Sequence, residues 1–196
     1  MAKNVSICFL GPDGSGKTTI IDGLVKKSLF KRTLYFHLKP IHKPVGYVSE
    51  VADNPHGEKP YSKFKSYIKL FYFICQYNFG WLKNIFLLKN DSKLIVFDRY
   101  FDDVLVDNLR YRYSGSYLVA KLFLNFIPKP DIYFILSTKA SIIYQRKQEV
   151  SLAELERQIM GYNNLCDNKR YNYIEVNRLP EEIIQDIIQI IDTKYK

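Results

Sequence analysis

Five short runs of the chain are nearly continuous in apolar residues: Val5–Leu10, Thr33–Leu38, Leu94–Phe97, Ile132–Leu136 and Tyr171–Val176. Short unalternating runs of this kind read as strands covered on both faces. Between them the pattern takes a helical period, over Gly16–Leu29, Lys63–Leu88, Phe101–Val106, Tyr117–Phe126, Ala140–Gln148, Ser151–Leu165 and Glu181–Ile191. Strands alternate with helices, which predicts an α/β fold with a parallel sheet between two helical layers. Local chemistry marks two helix starts. Ser151 and Glu154 form an S-x-x-E capping box. Pro180 opens the last helix, with Glu181 and Glu182 at its positive end.

Two stretches depart from this rhythm. Lys39–Tyr61 holds Pro40, Pro44, Pro55, Pro60, Gly46 and Gly57. It reads as a long loop, and long loops in compact domains are often functional. Phe64–Leu88 is strongly apolar, yet Lys65, Lys69, Gln76, Asn78 and Lys83 interrupt it. A membrane-spanning helix needs about 20 nearly uninterrupted apolar residues. The stretch therefore predicts a buried helix pair broken near Gly80, with an interfacial membrane contact as the alternative. No repeat, low-complexity tract or linker divides the chain, so 1–196 reads as a single domain.

Composition adds little to the fold and something to the partners. The 196 residues are 47% hydrophobic and 25% charged, as in ordinary globular proteins. The 16 Tyr and 13 Phe read as core packing before base stacking. The net charge of +9 suits an anionic partner, but the basic residues are scattered, and nucleic acid binding is not expected. Cys8, Cys75 and Cys166 lie far apart, with no metal-ligand spacing, and read as reduced thiols of a cytoplasmic protein. The apolar part of the N-terminus is too short for a signal peptide.

The chemistry is concentrated after the first strand. Gly11 to Thr18, GPDGSGKT, fits the phosphate-loop (Walker A) spacing G-x-x-x-x-G-K-[ST]. Gly11, Gly14 and Gly16 let the backbone turn tightly and bring its N–H groups close to phosphate oxygens. Ser15 and Thr19 lie within and just after that cradle. Lys17 suits the outer phosphates of a nucleoside triphosphate. Thr18 offers a hydroxyl to Mg²⁺, which prefers oxygen ligands. The position between an apolar strand and a helix is the one this mechanism requires; a glycine-rich turn without a ligand is the competing reading. Asp98 and Arg99 end the strand Leu94–Phe97. There a carboxylate can hold Mg²⁺ through water, and a guanidinium can neutralise a phosphoryl group in transfer. Alone they would read as a surface ion pair.

Asp13, which a general phosphate loop does not require, joins GPDGSGKTT to the FDRY of Phe97–Tyr100. Together they resemble thymidylate kinase and its relatives among the nucleoside monophosphate kinases. The resemblance runs over most of the chain in order and spacing. It implies a P-loop NTPase three-layer sandwich whose five-stranded parallel sheet is flanked by helices. It also implies MgATP as phosphoryl donor, an acceptor side over about 39–90 and a lid over about 139–160. In that pattern Lys17 and Thr18 grip ATP and Mg²⁺, Asp13 lies near the acceptor, and Asp98 and Arg99 act at the transferring group. Arg146 and Lys147 fall where lid cations are expected, in a lid compressed to RKQE. Asn177, after the last strand, falls near the adenine. Homodimers are common in the family.

The acceptor side departs from the pattern. Asp103, Asp107 and Asn108 follow Tyr100 where a serine and base-contacting residues are usual, and Arg110 and Arg112 come next; Tyr100, Asp103, Arg110 and Arg112 stand as candidate acceptor contacts. The family's arginine-glutamate-proline segment is replaced by HLKP, with His37 and Lys39 as candidate acceptor contacts. The combination resembles a divergent thymidylate kinase-like branch associated with surface-polysaccharide biosynthesis. Asp102 and Asp103 then suit a polyhydroxyl acceptor, against a reading as exposed helix-start charge. Two acceptor classes thus stand, a nucleoside monophosphate such as dTMP and a sugar or glycan-linked hydroxyl. An ATP-binding scaffold at a membrane and a plain ATPase are the remaining readings. The NKRY that begins at 168 lacks the Asp of a guanine-specifying N-K-x-D, which argues against a GTPase.

Overall fold

Every residue of the strands Val5–Leu10 and Ile132–Ser137 is buried, as their unalternating apolar runs require. The structure is a computed structural model that describes residues 4–27, 30–41, 56–88, 92–167 and 169–195. Most of the proline-rich loop, 42–55, lies outside the described residues. In chain order the elements are β1 (Val5–Leu10), α1 (Lys17–Lys27), β2 (Arg32–His37), α2 (Lys63–Trp81), β3 (Lys93–Asp98), α3 (Asp103–Val106), α4 (Tyr117–Phe123), β4 (Ile132–Ser137), α5 (Ala140–Arg146), α6 (Leu152–Asn163), β5 (Tyr171–Glu175) and α7 (Pro180–Tyr195).

The five strands form one parallel sheet of order β2-β3-β1-β4-β5. β1 pairs with β3 on one side, Phe9 opposite Asp98, and with β4 on the other, Leu10 opposite Ile135. The carboxyl ends of β1 and β3 are thereby level, at the point where the strand order reverses about β1. In open α/β sheets that is where ligands bind.

Contacts divide the chain into two units. The first holds Met1–Tyr35, Asn90–Arg99 and Pro130–Lys196; the second holds Phe36–Lys89 and Tyr100–Lys129. In the first, Ile20, Ile21 and Leu24 of α1 and Ile183, Ile184 and Ile187 of α7 share one buried cluster with Val5, Ile7 and Phe9 of β1. Each such side chain contributes about 1.5–3 kcal/mol when fully buried. The Ser151 cap is in place, its hydroxyl accepting from the Glu154 N–H at 3.3 Å, and α7 begins at Pro180.

The second unit has an aromatic core. Tyr77 meets Tyr100 edge to face at 4.7 Å, and Phe73 packs against Phe101 and Tyr111. Here the sequence expectation of a helix pair broken near Gly80 is corrected. α2 runs unbroken through Gly80 to Trp81 and continues as a π-helical turn, Leu82–Phe86. The glycine serves a close approach: a Cβ on Gly80 would stand 2.6 Å from the Pro40 carbonyl oxygen. The expected burial is also only half met. Leu70, Phe73, Tyr77 and Trp81 face inward, while Phe64, Ile68, Phe71, Phe79, Leu82 and Phe86 are each at least half exposed. With the exposed Cys75 between Phe71 and Phe79, their spacing of three and four residues makes them one stripe. Among the described residues no helix is long and apolar enough to cross a membrane.

Candidate active site

The phosphate loop leaves β1 through Gly11, whose φ of 140° only glycine adopts without strain. A Cβ there would also lie 2.2 Å from the Leu136 carbonyl oxygen at the end of β4. Gly16 has φ of 84°, and the space a Cβ would enter is open, with no atom within 4 Å. A phosphate cradle needs this combination of bare backbone, open space and the first turn of α1. Ser15 is buried, its N–H directed to the Pro12 carbonyl oxygen at 3.3 Å, while Thr18 and Thr19 are exposed on the first turn.

Lys17 is buried and reaches back over the loop. Its Nζ donates to the carbonyl oxygens of Gly11 and Pro12, each at 2.8 Å, and lies 4.0 Å from Asp13 Oδ1. The same carboxylate oxygen of Asp13 is in an ion pair with Arg99 Nη2. Arg99 is 4% exposed and holds a left-handed φ of 69°, fixed by its N–H to the Phe9 carbonyl oxygen. A non-glycine residue in that region is strained and is typical of functional sites. Two cations and one carboxylate from loop and strand tip thus meet at the phosphate loop.

Asp98, the last residue of β3, accepts a hydrogen bond from the Tyr35 hydroxyl at 2.8 Å. Burial, and then the charge of Asp98, push the Tyr35 phenol well above its ordinary value, so it stays a donor. Nothing local to Tyr35 marks it as a site residue; the β2-β3 neighbourhood brings it to Asp98. Among the described residues no cluster of three or more His, Cys, Asp or Glu is arranged for a metal. Thr18 and Asp98 carry oxygen donors, the ligand type that Mg²⁺ takes together with phosphate and water.

Arg146 ends α5, and its guanidinium lies 3.4 Å from the Val176 carbonyl oxygen, one residue before Asn177. The adjoining turn is held by Glu175, which accepts from the Asn177 N–H and the Tyr173 hydroxyl, each at 3.1 Å. Burial raises the Glu175 carboxyl, but hydrogen bonds from Thr138, Tyr173 and Asn177 and the charge of Arg178 outweigh it and hold the group below its ordinary value. Lys147 pairs with Glu149 at 2.5 Å, and its Cβ borders Gly14.

In the second unit several expected acceptor contacts take other roles. Tyr100 is fully buried, its hydroxyl accepting from Trp81 Nε1 at 2.6 Å and donating to the Pro128 carbonyl oxygen. It packs within the aromatic core of this unit. Asp102 and Asp103 are fully buried, so neither is exposed helix-start charge, and Asp103 accepts from the Tyr111 hydroxyl at 3.3 Å. Arg110 is tied to Asp107 at 3.1 Å, which also meets His56 at 2.9 Å. Arg112 pairs with Glu58 and stacks 4.1 Å over the Tyr61 ring. His37 is exposed at the end of β2. Lys39 Nζ donates to Gln76 Oε1 at 2.5 Å and sits 4.2 Å from the centre of the Phe73 ring.

A parallel sheet of this order, with a glycine loop joining its central strand to a helix, is the α/β fold of P-loop NTPases. Within that class the fold is the one found in thymidylate kinases. The thymidylate kinase of Candida albicans is 16% identical and aligns over 100% of this chain and 94% of its own, with a TM-score of 0.73. That of Ehrlichia chaffeensis is 17% identical over 97% of this chain and 99% of its own, with a TM-score of 0.63. No protein-family model and no curated protein sequence matches the chain.

Proposed function

We propose that this chain is a cytoplasmic, ATP-dependent kinase that moves the γ-phosphoryl group of MgATP to a nucleoside monophosphate of the dTMP kind. The observation that carries the reading is the meeting of Lys17, Asp13 and Arg99 at the phosphate loop. Phosphoryl transfer relies on positioning and on charge placed where the transition state develops it. Lys17 and Arg99 supply that charge. Asp13 holds both cations and orients the acceptor. Arg146 would act as the lid cation on the transferring group, and Asn177 would lie near the adenine. Mg²⁺, held by Thr18 and Asp98, would neutralise phosphate charge when bound with ATP.

A sugar acceptor rested on Asp102 and Asp103 as ligands for hydroxyl groups. Both carboxylates are fully buried, and Asp103 accepts from Tyr111, which weakens that part of the sugar reading; its other part, the resemblance to the divergent branch, is left to the experiment. The deciding experiment is ATP consumption measured against nucleoside monophosphates and sugars, with Lys17→Ala and Arg99→Ala as controls. Turnover lowered by about 100-fold or more in both variants is expected; near-normal turnover in either would overturn the site.

For the apolar stripe on α2 the partner we propose is a second copy of the chain. Six half-exposed side chains of this size present roughly 600 Å², the upper end of what monomers leave open. A standard interface buries about 800 Å² per partner. Sedimentation that stays monomeric at all concentrations would remove this reading.

A further inference from the structure

Tyr35 stands on an open edge of the sheet, yet its hydroxyl is turned inward. It lies in β2, an outer strand of which only Phe36 is buried, and Tyr35 itself is 51% exposed. Its hydroxyl donates to Asp98 Oδ2 at 2.8 Å, across 63 positions of sequence. A second carboxylate bears on the same phenol: the charge of Asp22, on α1, adds to that of Asp98. Asp22 follows Thr18 by four residues, so the two share one face of the helix that opens with Lys17. The phenol is thus set beside both elements that supply oxygen donors to the candidate site, the tip of β3 and the first turns of α1.

Packing does not require this bond. A phenylalanine ring would cover the same apolar surface of an edge strand. The hydroxyl adds one hydrogen bond to a charged acceptor, and such bonds are the strong ones. The main chain of Asp98 is already fixed from the other flank. It stands opposite Phe9 in the β1–β3 ladder, and the next residue, Arg99, donates its N–H to the Phe9 carbonyl oxygen at 2.9 Å. β1 therefore sets where the Asp98 backbone lies, and β2 sets how its carboxylate is turned. The kind of donor matters as well. A lysine or arginine at position 35 would orient Asp98 but neutralise it, and would compete with a divalent cation for its oxygens. A phenol orients the carboxylate and brings no charge. Burial, and then the charge and hydrogen bond of Asp98, keep that phenol protonated well above its ordinary value.

We infer that Tyr35 is a positioning residue: its hydroxyl fixes the orientation of the Asp98 carboxylate and thereby sets how tightly the nucleotide site takes Mg²⁺. Tyr35 acts through Asp98 and belongs to neither the phosphate loop nor the acceptor side. The role rests on the kinase reading only in taking MgATP as the ligand.

The test is equilibrium binding of ATP to the full chain by calorimetry, once with Mg²⁺ and once in EDTA. It compares wild type, Tyr35→Phe, Asp98→Asn and the double variant. The ratio of the two affinities measures what the metal adds. Tyr35→Phe should lower that ratio about tenfold or more, the usual effect of removing a group that orients a metal ligand. Its affinity for metal-free ATP should match wild type. In the Asp98→Asn background Tyr35→Phe should change nothing further, because both substitutions act on one carboxylate. With Mn²⁺ in place of Mg²⁺, the paramagnetic resonance spectrum of the bound Mn–ATP complex should differ between wild type and Tyr35→Phe. An unchanged ratio, an equal loss with and without metal, additive effects of the two substitutions, or a wild type that gains nothing from Mg²⁺ would overturn the role. A lower melting point with an unchanged ratio would make Tyr35 a structural tie and overturn it too. Turnover is measured separately. A chain that phosphorylates an acceptor while Tyr35→Phe keeps the full ratio would defeat the positioning role and leave the kinase reading. A lowered ratio in a chain that phosphorylates nothing would do the reverse.

Discussion

Arg99 reaches across the chain by 86 positions to pair with Asp13, and Lys17 approaches the same carboxylate oxygen to 4.0 Å. Asp13 is therefore the charge that allows two cations to sit together at the mouth of the phosphate loop. Its removal would leave the nearly buried Arg99 guanidinium without that partner. Asp13→Ala should lower stability by about 1–3 kcal/mol, read by urea unfolding, and should lower turnover. Asp13→Asn keeps the size and loses the charge. If it proves as active as wild type, the carboxylate has no part in catalysis.

Gly11 and Gly16 separate folding from binding. At Gly11 a Cβ meets a backbone oxygen at 2.2 Å and the backbone disfavours any side chain, so Gly11→Ala should destabilise the fold. The loss should be roughly 3 kcal/mol or more. At Gly16 the space is open, and only the left-handed backbone opposes the change, about 1–2 kcal/mol. Gly16→Ala should therefore fold, but its methyl group enters the phosphate cradle and should abolish nucleotide binding in an equilibrium titration.

Lys39 gives a pH signature. Its amine is lowered to about 8 from an ordinary 10.5. Between those values the unfolded chain binds more protons than the folded chain, so this group makes stability rise with pH across that window. Below it both states are protonated and the penalty is complete. Relative to wild type, Lys39→Met should gain most stability at about pH 7 and lose that advantage toward about pH 10. Parallel urea midpoints at both pH values would contradict the assignment.

Cys75 lies exposed on α2, whereas Cys8 is fully buried in β1. Alkylation in the native state should label Cys75 well before Cys8. If copies pair through α2, labelling of Cys75 should slow as protein concentration rises, and Phe79→Glu should abolish that dependence. Labelling independent of concentration would speak against the pairing.

The parts of the molecule legible in the sequence are the local ones. The phosphate loop, the Ser151 cap and the Pro180 helix start each depend on residues a few positions apart, and β1, β3 and β4 depend on their own burial, whereas the edge strands β2 and β5 are largely uncovered although their runs are apolar. What stayed hidden depends on register and strand order. Asp13 meets Arg99 because Phe9 stands opposite Asp98. Tyr35 meets Asp98 because β2 is next to β3. Lys69 read as an interruption of an apolar helix, since nothing nearby in sequence places it with Lys39 on the Phe73 ring. α2 is apolar on two faces, so periodicity could not decide which face is covered. Gly80 looked like a break because a close backbone approach leaves the same mark as a helix end.

The close approach of Pro40 to Gly80 gives Lys39 a divided allegiance. By covalent connection it is the tail of a strand; by attachment to Tyr77, Gly80 and Asn84 it belongs to α2. Two lysines far apart in sequence are thereby moored to one helix, Lys69 by its own backbone and Lys39 through its neighbours' carbonyl groups.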